Sequence, residues 1–199
     1  MPLNEIPLAE RLRPTTLDEF MVQNKMLGAG SLLRRSLETD SIPSMIFWGP
    51  PGCGKTSLAN VIKNQSSKKF VSLSAVSSGV KDVKTVLAEA KEPNLLNPHG
   101  TILFIDEIHR FNKSQQDALL GAVEDGTVTL IGATTENPGF EVNSALLSRC
   151  QLILFAPLQE DELEKLLFNA LHNDPRGLCR KDVELTKEVA KKLIALADG

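Results

Sequence analysis

One run of eight residues restricts what this chain can fold into more than any other feature of its sequence. It matches the pattern G-x-x-x-x-G-K-[ST], in which a glycine-rich loop leaves a strand and opens a helix, and it consists of Gly49, Pro50, Pro51, Gly52, Cys53, Gly54, Lys55 and Thr56. Glycine lets the backbone approach a phosphate group where a Cβ atom would clash. The loop N–H groups and the helix N-terminus then face the anion. The run therefore predicts a nucleotide-phosphate site.

Individual roles follow for the residues at the end of the run. Lys55 is expected to reach the β- and γ-phosphates, and the Thr56 hydroxyl is expected to ligate Mg²⁺. Ser57 follows them and is counted with the nucleotide-binding residues. The alternative is a Gly/Pro-rich connecting loop with a chance lysine. It is disfavoured because an apolar strand precedes the run and a helical pattern follows it. The expected cofactors are ATP and Mg²⁺.

Short apolar runs alternate with helical patterns along the first 157 residues. Near-continuous apolar runs are typical of a parallel sheet buried on both faces, and they occur at 45–48, 70–74, 101–105, 128–133 and 152–155. Helical patterns lie between them, at 54–64, 80–91 and 113–124. This alternation predicts an α/β core with a five-stranded parallel sheet.

The pattern changes after Pro157. Apolar residues recur at helical spacing over 160–171 and again over 185–196. We therefore divide the chain into an α/β core, residues 1–157, and the beginning of a helical domain, residues 158–199. Because two helices are too few to close a second domain, we expect the sequence to be a fragment of a longer protein.

Composition and charge exclude several classes of protein. Hydrophobic residues make up 42% and charged residues 24%, which is ordinary for a folded domain. No apolar run approaches the ~18 residues that a membrane span needs, so no membrane partner is expected. Three cysteines without a close pair indicate reduced thiols. With a formal net charge of -3, the chain has no direct nucleic-acid signature, so DNA contacts must come from local patches, from assembly or from other parts.

Two acidic residues follow the third predicted strand, Asp106 and Glu107. The carboxyl edge of an open α/β sheet is where ligands bind. Asp106 is therefore expected to hold the Mg²⁺ shell, and Glu107 to orient and deprotonate the attacking water. A strand-end turn with a helix cap is the alternative for such acids, and the upstream loop argues against it. His109, two residues on, is expected to pack or to be solvated.

Taken together, these residues resemble AAA+ ATPases of the clamp-loader clade. Within that clade they are similar to the RarA/MgsA family, which includes the Werner helicase-interacting protein. Three runs carry the resemblance: DEIHRFNKSQQD at 106–117, IGATTENP at 131–138 and NSALLSR at 143–149. The similarity extends from about Pro7 to the last residue. It implies an AAA+ P-loop core, with residues 158–199 as the start of the lid.

The resemblance implies two further catalytic residues. Thr135, which we expect to end the fourth strand, matches the sensor 1 position near the γ-phosphate, and Asn137 is an alternative. Arg149 matches the arginine finger, which reaches a neighbour's ATP site and neutralises charge on the transferred phosphoryl group.

Residues 1–30 resemble the family's adenine-side segment. Leu8 and the backbone near Val22 and Gln23 would hold the base, although family members commonly have Gly where this chain has Val22. In the family a sensor 2 arginine comes just after a stretch like residues 197–199, where this sequence stops. We therefore expect this chain by itself to bind nucleotide weakly and to be a poor ATPase.

The function implied by the resemblance is a DNA-stimulated ATPase that acts in replication, recombination and repair at stalled forks. The expected partners are DNA, further copies of the chain through the Arg149 face, and a DNA helicase or polymerase. A non-enzymatic ATP-binding scaffold is the alternative. A DExH-type helicase, suggested by residues 106–109, would need a second motor domain, and a P-loop kinase lacks a legible substrate base. Residues 148–150 and 42–44 look more like eukaryotic members and favour the nucleus; a bacterial protein would be cytoplasmic.

Overall fold

A parallel β-sheet forms the centre of the molecule. The computed structural model describes residues 6–20, 27–28, 30–92, 99–180 and 182–197. All strand pairs in the sheet are parallel, and the order is β2-β3-β4-β1-β5. The strands are β1 (Met45–Trp48), β2 (Lys69–Ser74), β3 (Thr101–Asp106), β4 (Val128–Thr134) and β5 (Gln151–Leu154). The predicted α/β fold with five parallel strands is confirmed; the bounds of β1 are those predicted, and each end of the other strands lies within one residue of the prediction.

Helices connect the strands and precede the sheet. They are α1 (Leu8–Arg11), α2 (Leu32–Glu38), α3 (Lys55–Gln65), α4 (Val80–Lys91), α5 (Lys113–Glu124), α6 (Pro138–Glu141), α7 (Ser144–Leu147), α8 (Glu160–Phe168) and α9 (Lys187–Ala197), with a 3₁₀ turn at Ile108–Arg110. The bounds of α4 and α5 are those predicted. Helix α2 and the short helices α1, α6 and α7 were not predicted from the sequence.

The sheet separates two buried clusters, because successive residues of a strand face opposite sides. On β3, Ile102 and Phe104 belong to one cluster, and Leu103 and Ile105 belong to the other. Helices α2 and α3 cover the first face, and α4 and α5 cover the second. Burial on both faces explains why the central strands are apolar at nearly every position.

Local signals fix the ends of the helices that flank the site. At the start of α5, the Asn112 side chain accepts a hydrogen bond from Gln115 N at 3.0 Å, and the Gln115 side chain accepts one from Asn112 N at 3.0 Å. This reciprocal capping box satisfies two N–H groups that the helix leaves unpaired. Gly54 precedes α3 with φ at 96°, so α3 begins at Lys55, one residue after the predicted start.

Two helices pack together after the core. Helix α8 ends at Phe168, earlier than the predicted residue 171, and the chain continues as a π-helical turn, Asn169–Asn173. Helix α9 begins two residues later than predicted, and Lys191 Nζ on it lies 3.2 Å from Glu160 Oε1 on α8. Among the residues that the structure describes, no helix combines the length and the apolar character required to cross a membrane.

Leucine truncation should distinguish the sheet centre from its edge. Leu130 on β4 is fully buried, whereas Leu154 on the edge strand β5 is 61% exposed. Replacing Leu130 by Ala should lower the free energy of unfolding by about 2–5 kcal/mol, because a cavity remains in a packed core. Leu154→Ala, the matched control, should cost less than about 1 kcal/mol. Urea unfolding measures both, and equal losses would contradict this placement of the core.

Candidate functional site

The candidate site lies where three neighbouring strands end. The glycine-rich loop, residues 49–54, follows β1, and the two acidic residues stand at the end of β3. Strand β4 lies between β1 and β3 and pairs in parallel with both. Two strand spacings amount to about 10 Å. The topology therefore brings the loop and the acids to one edge of the sheet, as the sequence predicted.

Packing requires glycine in the loop at two positions. A Cβ atom on Gly49 would lie 2.5 Å from the Phe155 backbone oxygen, and one on Gly54 would lie 2.9 Å from Phe20 Cζ. Gly52 and Gly54 also have positive φ, 74° and 96°, which side chains rarely adopt. The two ends of the loop are therefore packed closely, Gly49 against Phe155 and Gly54 against Phe20. Pro51 and Gly52, in the middle of the loop, are exposed to solvent.

Lys55 lies at the start of α3 with its ammonium group turned into the loop. The residue is 7% exposed, and Nζ donates to Gly49 O at 2.7 Å and to Pro50 O at 2.8 Å. A phosphate oxygen carries more negative charge than these carbonyl oxygens and is a stronger acceptor for an ammonium group. Thr56, next on α3, is half-buried and belongs to the first turn of that helix, directly after the loop.

Glu107 has a backbone conformation that is unusual for its residue type. Its φ and ψ are 55° and 47°, in the left-handed region, which costs about 1–3 kcal/mol for a residue other than glycine. Its Oε2 is buried without a well-aligned hydrogen bond and lies 3.2 Å from His109 Nδ1. A strained turn that holds a buried, incompletely paired carboxylate oxygen is typical of a functional position. Asp106, the last residue of β3, is half-buried.

The fourth strand ends one residue earlier than expected for the sensor position. Thr134, not Thr135, is its last residue; Thr134 is fully buried and Thr135 half-buried. The Thr134 hydroxyl lies 2.9 Å from His109 Nδ1 and accepts from Glu136 N at 3.0 Å. Thr134 O accepts a hydrogen bond from Gly49 N at 3.3 Å. Thr134 was not predicted as a site residue, because its place beside the loop follows only from strand pairing. Asn137, the alternative sensor residue, is exposed and caps α6.

Arg149 lies on the surface, away from the loop of its own chain. It follows α7, and its guanidinium forms an ion pair with Glu124 at the end of α5. It also donates to Ala145 O at 2.7 Å and to Ser148 Oγ at 3.1 Å. Because its side chain is 40% exposed, a partner molecule can reach it.

A cavity of about 690 Å³ lies beside the loop. Gly52 and Ser57 line one side of it, and the other walls come from the N-terminal segment and the two terminal helices, including Leu8, Leu12, Leu163, Leu166, Leu193 and Ile194. Its size is in the range of small-molecule sites. Leu8 is thus part of the cavity wall. Val22 and Gln23, which the sequence analysis placed with it, lie outside the described residues.

Arg176 joins the N-terminal segment to the terminal helices at the edge of this cavity. Its guanidinium lies 3.1 Å from Glu19 Oε2 and 2.7 Å from Asp174 Oδ2, and it donates to Arg13 O at 3.3 Å. Hydrogen bonds from Arg176 lower the pKa of Asp174 below its ordinary value. One side chain therefore connects residues more than 150 positions apart in the chain.

Two cysteines of the α/β core differ in position: Cys53 lies in the loop and Cys150 immediately precedes β5, at the other edge of the sheet. Cys53 in the loop is 2% exposed, and its Sγ lies 3.8 Å from Lys55 Nζ. Burial raises the pKa of the Cys150 thiol to about 11, so little thiolate forms at neutral pH. Neither cysteine forms a disulfide.

The fold and the loop define a P-loop ATPase core of the α/β class. The family described as "ATPase family associated with various cellular activities (AAA)" matches residues 45–158, and the chain belongs to this family. The resemblance to the RarA/MgsA family is also confirmed by the relatives of the chain.

Two relatives and two solved structures illustrate the similarity. Replication-associated recombination protein A of Coxiella burnetii is 48% identical over 194 residues, which are 98% of this chain and 43% of that protein. The ATPase WRNIP1 of Dictyostelium discoideum is 45% identical over 97% of this chain and 22% of its own length. This chain thus spans less than half of either protein.

The solved structures are of Thermotoga maritima RuvB. One has a TM-score of 0.71 at 29% identity and covers 91% of this chain and 58% of its own. The other, described as a Holliday junction branch migration motor, has a TM-score of 0.66 at 32% identity and covers 80% and 54%. These values agree with an AAA+ core as the common fold.

Two glycine-to-alanine substitutions should have opposite effects on stability. Gly49→Ala should lower the free energy of unfolding by about 1–3 kcal/mol, because the new Cβ meets backbone that cannot rotate away. Gly121 lies exposed in α5, and its Cβ would have no neighbour within 4 Å. Gly121→Ala should therefore stabilise by roughly 0.5–1 kcal/mol through helix propensity. Thermal unfolding measures both, and changes of the same sign would refute the close packing at Gly49.

Proposed function

We propose that this chain is the ATP-hydrolysing core of an AAA+ machine that acts on DNA intermediates of replication, recombination and repair. One observation carries the proposal. The sheet brings the glycine-rich loop and the strained, partly unpaired carboxylate of Glu107 to the same edge, with only β4 between them. Hydrolysis of a phosphoanhydride needs both parts, one to hold phosphate and one to activate water.

The residues present fit ATP with Mg²⁺. The loop N–H groups, Lys55 and Ser57 would hold the triphosphate, and the Thr56 hydroxyl with the Asp106 carboxylate would hold Mg²⁺. The metal would supply charge neutralisation at the phosphoryl oxygens. Glu107 would orient a water molecule and take its proton, so that water attacks directly and no covalent enzyme intermediate forms. Thr135, next to buried Thr134, would place a hydroxyl near the γ-phosphate.

The cavity beside the loop supports a site for the base and the sugar. It adjoins Gly52 and Ser57, and its apolar walls, Leu8 among them, suit the faces of an adenine ring. The division at residue 157 is part of this proposal, because residues 158–197 supply one wall of the cavity and thus act as a lid over the base. The backbone near Val22 and Gln23 is proposed to complete the contacts with the adenine base.

Arg149 supports assembly into an oligomer in which each site is completed by a neighbour. It is exposed, and its contacts lie outside its own loop. A guanidinium that reaches the adjacent subunit would neutralise charge on the transferred phosphoryl group. Turnover would then depend on assembly.

DNA as the partner is inferred from the relatives, whose names refer to replication-associated recombination and, for RuvB, to a branch migration motor. Because the net charge is -3, DNA binding would use local patches or the assembled oligomer. A helicase or polymerase partner, and stimulation of turnover by DNA, belong to the proposal. The nuclear location expected from the sequence gains no support from these relatives, several of which are bacterial.

Loop and acid variants test the ATPase proposal. Lys55→Ala should weaken ATP binding and abolish turnover, whereas Glu107→Gln should keep ATP binding and lower turnover on the order of 100-fold or more. Lys63→Ala, an exposed lysine on the same helix α3, is the matched control and should behave as wild type. ATP hydrolysis by the protein is measured alone and with single-stranded, forked and duplex DNA. Unchanged turnover in Glu107→Gln would favour the scaffold alternative, and rates insensitive to every DNA would refute DNA stimulation.

Subunit mixing tests whether Arg149 acts on a neighbour. Arg149→Ala and Lys55→Ala should each be inactive by themselves. In an equal mixture, about a quarter of the subunit interfaces should be active, because there a subunit with an intact Lys55 meets a neighbour with an intact Arg149. Arg180→Ala removes another exposed arginine, paired with Asp182, and should leave turnover unchanged. A mixture no more active than its components would exclude action in trans.

A further inference from the structure

His109 is an ionisable side chain near the site to which the proposed hydrolysis assigns no role. It lies on the 3₁₀ turn after β3, and its side chain is 14% exposed. One atom of its ring, Nδ1, has two polar neighbours: Thr134 Oγ1 at 2.9 Å and Glu107 Oε2 at 3.2 Å. The ring therefore stands between the end of β4 and the carboxylate that follows β3.

The neighbours determine which tautomer of the ring fits. An ionised carboxylate can only accept a hydrogen bond, so Glu107 requires a hydrogen on Nδ1. The Thr134 hydroxyl has a single hydrogen, and Glu136 O lies 3.2 Å away to receive it. The lone pairs of Thr134 Oγ1 then accept from Glu136 N and from the ring. One Nδ1–H thus donates to Thr134 Oγ1 and lies near Glu107 Oε2, 3.2 Å from Nδ1, a contact that is not aligned as a hydrogen bond but places the ring beside the carboxylate.

The groups on either side of the ring are fixed independently. The turn is closed by hydrogen bonds from Arg110 N to Glu107 O at 2.9 Å and from Phe111 N to Ile108 O at 3.0 Å. Thr134 is held by its pairing with Trp48 on β1 and by the bond from Gly49 N. Oε2 of Glu107 has no well-aligned hydrogen-bond partner among the described residues, so its contact with the ring, which bridges Thr134 and Glu107, can restrict the rotation of the Glu107 side chain.

We propose that His109 is a positioning residue for Glu107: its Nδ1–H, which donates to Thr134, also attracts the Glu107 carboxylate, holds it toward the attacking water and couples it, through Thr134, to the glycine-rich loop. The proposal rests on the ATPase function proposed above. The chemical requirement is directional, since a base takes a proton efficiently only from a water within hydrogen-bond reach. Loss of the bridge should lower the rate of hydrolysis without loss of the phosphate-binding loop.

Ring and amide variants separate positioning from packing. His109→Phe keeps the ring volume without a donor, and His109→Asn places an amide N–H close to the Nδ1 position. We expect kcat to fall about 10–100-fold in His109→Phe, as for other partners that orient a functional group. Affinity for a fluorescent ATP analogue should stay within about twofold, because the loop is intact. His109→Asn should recover most of the lost rate. His99→Phe, at an exposed position, is the matched control and should match wild type.

A double-mutant cycle with Glu107→Gln decides whether His109 acts through Glu107. If it does, adding His109→Phe to Glu107→Gln should change kcat less than about threefold. An equal loss in both backgrounds, a wild-type kcat for His109→Phe, or a His109→Asn variant as slow as His109→Phe would each overturn the proposal. Thermal unfolding and analogue binding show that each variant is folded. Failure of the ATPase proposal itself is distinguished by wild-type turnover in Lys55→Ala and Glu107→Gln.

Discussion

The parallel direction of all five strands is the constraint on which the site depends. Because β1, β3 and β4 run the same way, the residues that leave them emerge at one edge, and groups 50 positions apart in the chain become neighbours. The hydrogen bond from Gly49 N to Thr134 O joins two of these strand ends directly. An antiparallel β4 would place Thr134 at the opposite edge, and neither the loop nor His109 could reach it.

The same constraint explains how much could be predicted. A parallel sheet covered on both faces needs apolar residues at consecutive positions, so the five strands could be predicted from apolar runs in the sequence. The glycine-rich loop and the acidic residues 106 and 107 could be predicted as a phosphate and metal site, because residue spacing in the loop and the position of the acids at a strand end are themselves diagnostic. Helix α2 was not predicted, although Leu33 and Leu37 on it are buried, since four residues of separation on a short helix make a weak periodic signal.

The remaining parts of the site depend on contacts that leave no local pattern. Thr134 and Thr135 are identical in type, and only the end of strand pairing distinguishes the buried hydroxyl from the half-buried one. The Cβ space at Gly54 is limited by Phe20, 34 positions earlier. Arg176 reaches Arg13 and Glu19 across the cavity. Such contacts follow from the tertiary fold. Sequence patterns report only the spacing of residues within one helix, strand or loop, so these contacts could not be predicted.

The two side chains proposed for hydrolysis are held in opposite ways, and the difference fits the proposed roles. Glu107, proposed to act within its own subunit, stands on a strained turn closed by backbone hydrogen bonds and bridged by His109. Arg149, proposed to act on a neighbour, would have to leave its partner Glu124, which is about as exposed as itself, 41% against 40%. An ion pair so exposed contributes no more than about 1 kcal/mol. In the proposed assembly, a neighbour's triphosphate could therefore draw Arg149 away at little cost, whereas rotation of Glu107 would break contacts that extend through His109 and Thr134 to the loop.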